Sequence, residues 1–69
     1  MSNEELERFV KDWAEKAAQA SVAGDTLRLQ QNENYFRRVM IAHVESPEQR
    51  EALSILRRAL FQQAIDRAA

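Results

Sequence analysis

Leu6, Phe9, Val10, Trp13, Ala17 and Ala20 recur at intervals of one to four residues, and the positions between them are mostly charged or amide side chains. At about 100° per residue these six fall in one stripe roughly 100° wide, which predicts a helix that buries a single face. Ser2 followed three residues later by Glu5 forms a capping-box pattern at its start. Gly24 suits the left-handed conformation that ends helices, and Asp25 can cap the next one. The first helix is therefore expected over about residues 3–23.

The second stretch places Leu29, Phe36, Met40 and His43 on one face. If a single helix ran through Gly24, that face would lie about 140° from the Trp13 stripe, so a turn at Gly24-Asp25 is required for a shared core. The second helix, over about 26–45, is uneven: Gln30 to Asn34 is polar nearly all round, and Val39 to Val44 is apolar nearly all round. A segment apolar on every side is expected to be covered on every side. Ser46-Pro47-Glu48-Gln49 then combines a cap, a proline suited to the first helical position and a second capping box.

The third helix, over about 47–67, carries Leu53, Leu56, Leu60 and Ala64 on its main face, flanked by Phe61 and Ala68. Ile55 lies about 160° from Leu53, and Ile41 is similarly off the Phe36 stripe. The predicted fold is all-α: one helical domain over 1–69, either a three-helix bundle or antiparallel helical hairpins, that dimerises.

Composition sharpens the dimer expectation. A core in a chain of 69 residues rarely supplies more than roughly 3–5 kcal/mol, and small domains add disulfides, metals or partners. With no cysteine and one histidine, disulfides are excluded and a structural zinc site has too few ligands. Association remains. The formal charge of −1 offers no global attraction to nucleic acid or to anionic lipid. The acidic start, MSNEELERF, is unlike a signal peptide, and the apolar run Val39-Ala42 is too short to span a bilayer. A cytoplasmic protein of a bacterium or phage, without a membrane role, is expected.

His43, the one histidine, has no nucleophile or orienting carboxylate at usable spacing, which makes it a packed or edge-of-core histidine. Glu4, Glu7, Asp12 and Glu33 each have a basic residue four positions on and read as solvated helix faces. The expectation is a protein that is not an enzyme, with no cofactor, metal or small-molecule substrate. Two charged groups stand out, Arg37-Arg38 and Arg57-Arg58. A hairpin about Ser46-Pro47 would bring them to similar height, beside Ile41 and Ile55.

Apolar centres rimmed by arginine characterise protein interfaces. Val39, Met40, Ile41, Val44, Ile55, Arg38 and Arg58 are accordingly the expected protein interface. The function read from these residues is a small interaction, regulatory or adaptor protein that self-associates as a twofold dimer. The alternative is a nucleic-acid-binding regulator that holds phosphates with Arg37, Arg38, Arg57 and Arg58.

Overall fold

The computed structural model describes residues 1–68, and over them the chain forms helices α1 (Asn3–Ala23), α2 (Thr26–His43) and α3 (Pro47–Ala68). The α1 start follows its capping box: the Ser2 hydroxyl oxygen accepts the Glu5 N–H, and a Glu5 carboxylate oxygen accepts the Ser2 N–H, each at 3.2 Å. Hydrogen bonding from Ser2 to the carboxylate, first from its backbone N–H and then from its side chain, holds the Glu5 carboxyl below its usual value. At the other end Gly24 is left-handed, with φ 71°, and the Asp25 N–H reaches back to the Ala20 carbonyl at 2.9 Å. A Cβ at Gly24 would meet no neighbour, so the demand for glycine is conformational rather than steric. Asp25 then caps α2 by accepting the Arg28 N–H at 3.1 Å.

α1 is the central element. It packs along both other helices, more extensively along α3, while α2 and α3 scarcely meet. Gln49 of α3 donates to Asn3 at 2.8 Å, Arg67 lies 3.8 Å from Glu15, and the Trp13 indole N–H donates to the Asn32 carbonyl at 2.9 Å. These contacts make α3 parallel to α1 and α2 antiparallel to it, an up-down-up bundle. Serving two partners widens the buried arc of α1: Ala14 and Ala18 join Leu6, Val10, Trp13, Ala17 and Ala20, and with the partly buried Phe9 the arc is roughly 180° in place of 100°.

Aromatic contacts fasten α1 to α2. Phe9 meets Tyr35 edge-on at 5.6 Å and stacks on Phe36 at 5.9 Å, and Trp13 lies 5.0 Å from Phe36. Trp13 also approaches Phe61 of α3 at 6.2 Å, so its ring touches both neighbours. Such pairs add about 0.5–1.5 kcal/mol each beyond the area they bury.

Several expectations are corrected. α2 stops at His43, not Glu45, because Ser46 must cap α3 and the residue before a proline is pushed to extended backbone. Val44, extended at φ −112°, turns into the core and is 3% exposed. His43 is thereby left exposed, neither packed in the core nor at its edge. The second capping box forms by half: the Ser46 hydroxyl oxygen accepts the Gln49 N–H at 3.0 Å, but the Gln49 side chain is drawn to Asn3. Nor is Val39–Val44 covered on every side, since Ile41 is 81% exposed.

Candidate functional site

α2 and α3 both lean on α1 and turn charged or branched sides toward each other. On α2, Glu33, Arg37 and Ile41 recur every four residues beside the core face; on α3, Arg50, Ser54 and Arg57 share a face at spacings of four and three. A groove of about 400 Å³ runs between the helices, lined by those six residues with Phe36 and Met40. A second hollow, of about 310 Å³, adjoins it through Ser54 and Arg57 and is lined by Trp13, Arg58 and Phe61.

Arg57 is the clasp where the three helices meet. Its guanidinium carbon sits 4.4 Å from the Trp13 ring centre and 4.3 Å from that of Phe36. The same guanidinium pairs with the Glu33 carboxylate across the α2–α3 gap. The pair is partly sheltered, with side chains 28% and 35% exposed, so it is screened less than a surface pair. Glu33 therefore pairs across the gap and not with Arg37 four residues on. Nor do Glu4–Arg8, Glu7–Lys11 or Asp12–Lys16 close as contact ion pairs among the described residues, as exposed pairs seldom outweigh the entropy of two long side chains.

The expected interface is redistributed. Val39, Met40 and Val44 are 9%, 8% and 3% exposed, because their apolar surface packs with α1 in the core of the single chain. Ile41 stands at the lip of the groove, but Ile55, 63% exposed, does not line it. Ser54 faces the groove and Ile55 follows it by 100°, on the outer side of α3.

The arginines divide similarly. Arg37 and Arg57 line the groove, Arg57 and Arg58 the adjoining hollow, and Arg38 lies about 160° from Phe36 on the far side of α2. The four do not form one face. Arg50 takes the place of Arg38: it precedes Arg57 by seven residues, two helical turns, a spacing that marks it as sharing the Arg57 face.

What can this arrangement do? Three guanidiniums and one carboxylate border an apolar floor, and Ser54 is the hydroxyl present, with no histidine in the lining. Among the described residues no three His, Asp or Glu side chains converge as metal ligands, and no helix is long and apolar enough to cross a membrane. A small-molecule site encloses most of its ligand. This groove leaves Ile41 almost fully open, a geometry suited to the side of another helix. Comparison with known proteins finds no matching family model, no similar curated protein and no similar solved structure.

Proposed function

We propose that this chain is a small, non-enzymatic helical adaptor that pairs with its own copy through the outer face of α3 and offers the α2–α3 groove to a regulatory partner. The observation that carries this reading is the exposure of two branched apolar side chains, Ile41 at 81% and Ile55 at 63%, on separate faces of the bundle. Removing such a side chain from water is worth about 1.5–3 kcal/mol. In a protomer whose own core is small, that gain is comparable to the stability of the fold.

Ile55 shares its face of α3 with Ala52 and Ala59, at spacings of three and four. The two alanines let a second helix approach closely. A twofold operator repeats every contact, so each Ile55 would pack on the other copy's face. A standard interface takes about 800 Å² from each partner, roughly one-sixth of this protomer's 5054 Å². One helix face with its flanks can supply that area.

Nucleic-acid binding through Arg37, Arg38, Arg57 and Arg58 has less support, because Arg57 is committed to Trp13, Phe36 and Glu33, and Arg38 faces away. Sedimentation equilibrium and thermal melting across a range of protomer concentrations test the self-association. The melting temperature should rise with concentration for the unaltered chain. Ile55→Glu should give a folded monomer whose melting no longer depends on concentration. A monomer with constant melting temperature throughout would overturn the pairing.

A further inference from the structure

We propose that the α2–α3 groove binds an acidic amphipathic helix of a partner protein. The inference rests on the reading of the chain as an interaction module and adds the chemistry of what it receives. Two helical walls over a nearly buried floor of Phe36 and Met40, with Ile41 exposed at the lip as the apolar anchor, have the layout of a helix-in-groove site. In that mode the guest inserts apolar side chains spaced i, i+3 or i+4, and i+7.

Charge sets the flanks of the guest. Glu33 is already paired with Arg57, and neither Arg37 nor Arg50 closes an ion pair among the described residues. The groove therefore presents two uncommitted guanidiniums, one on each wall, in a chain whose overall charge is −1. Guanidiniums on both sides of an apolar strip match carboxylates on both sides of a helical apolar stripe.

The same charges argue against other occupants. Two copies meeting groove to groove would gather four guanidiniums, Arg37 and Arg50 of each, in one interface, and like charges juxtaposed at an interface are costly. A nucleic acid would satisfy the arginines but leave Ile41, 81% exposed, without an apolar partner. Its bases would seek aromatic faces to stack on, and Phe36 and Trp13 are only 5% and 7% exposed.

The test is selection from a displayed library of helices about 16 residues long, with a fixed leucine stripe and Glu, Lys, Gln or Ala at the remaining positions. The full chain serves as bait. Recovered sequences should be enriched in Glu beside the stripe. The best of them, made as a labelled peptide, should lose affinity about tenfold or more with Ile41→Asp and with Arg37→Glu combined with Arg50→Glu, and bind more weakly as salt rises. Arg38→Glu, on the far side of α2, should leave binding unchanged. All four positions are exposed, so circular dichroism should show each variant folded.

Recovery of sequences without acidic bias would overturn the proposal. So would tighter binding of a labelled oligonucleotide of about 20 nucleotides than of the best peptide at about 0.15 M salt. Failure of the α3-mediated pairing would show instead as concentration-independent melting, with acidic peptides still selected. A failed groove would show as a dimer that selects none.

Discussion

The seam between α1 and α3 and the gap between α2 and α3 share a helix yet differ in how closely their walls approach. Along the seam α1 presents Ala14, Ala17 and Ala18, each 1% exposed, and Ala64 of α3 is 5% exposed. Ala18 and Ala64 border one hollow, and α1 packs more extensively along α3 than along α2. Across the gap α2 presents Glu33, Arg37 and Ile41 to Arg50, Ser54 and Arg57. Long charged side chains hold the helices apart and keep their heads in water. Helices in this protein close where the facing residues are apolar, and part where long charged side chains stand between them. One ion pair and one stacked guanidinium span what packing leaves open.

The largest way to break this contrast is to remove Trp13, the ring that touches both neighbours. Trp13→Ala should cost about 3–5 kcal/mol, which equals what a core of this size supplies. The variant should lack a cooperative melt by far-ultraviolet circular dichroism. Trp13→Phe keeps a ring for Arg57 and Phe36 but drops the indole N–H donation to Asn32, at a cost of about 1 kcal/mol. A stable, cooperative Trp13→Ala protein would show that the clasp is incidental.

Next in size is a test of closeness itself. Ala17→Leu introduces volume where the seam has none to spare and should destabilise by about 1–3 kcal/mol, read from the denaturation midpoint. Ile41→Ala, on the open side, should change stability by less than about 0.5 kcal/mol. Equal effects at the two positions would erase the distinction between seam and gap.

Arg57→Lys sharpens the comparison at the clasp. Lysine keeps the charge but loses the flat guanidinium that lies over two rings, and the expected loss is about 1 kcal/mol. In a double-mutant cycle with Glu33→Gln, the coupling between the pair should be under about 1 kcal/mol, because both side chains remain partly solvated. Most of the clasp would then reside in its contact with Trp13 and Phe36. A coupling well above that would place it in the ion pair.

The elements of this fold were legible wherever a residue answers a local demand. Ser2 with Glu5, Gly24 and Asp25 each satisfy backbone groups within a few residues, and the boundaries they predict for α1 match the structure. The three-helix outcome was within the predicted fold class, and up-down-up packing resolves it. What depended on distant partners was not legible. Val39, Met40 and Val44 looked like surplus apolar surface because nothing local says that α1 would use it. Glu33 had Arg37 at the favoured spacing, and its partner Arg57 lies 24 residues away. Helical phase says where a side chain points, but not which element stands opposite. Arg50 is absent from the expected site residues although its two-turn offset from Arg57 carried the signal, whereas Arg38, which is among them, is one position, and 100°, out of phase with Arg37.

The smallest expected effect lies at the closed end of the seam and depends on pH. Glu5 is exposed, and the Ser2 N–H and hydroxyl hold its carboxyl below the ordinary value. A group whose pKa is lower folded than unfolded adds stability that is complete above the unfolded value and is lost as the pH falls through the folded one. Glu5→Gln retains an acceptor for the Ser2 N–H while removing the charge. At neutral pH it should melt slightly below the parent chain, and the difference should shrink toward zero as the pH falls below the carboxylate range. Because Asn3, in the same turn, is tied to Gln49 of α3, fraying there should open the start of the seam and leave the groove untouched. Amide exchange should accelerate at the first turns of α1 and α3 in Glu5→Gln but stay unchanged through Glu33–Ile41. Equal acceleration along α2 would mean that seam and gap open as one unit, and the contrast between them would be one of packing alone.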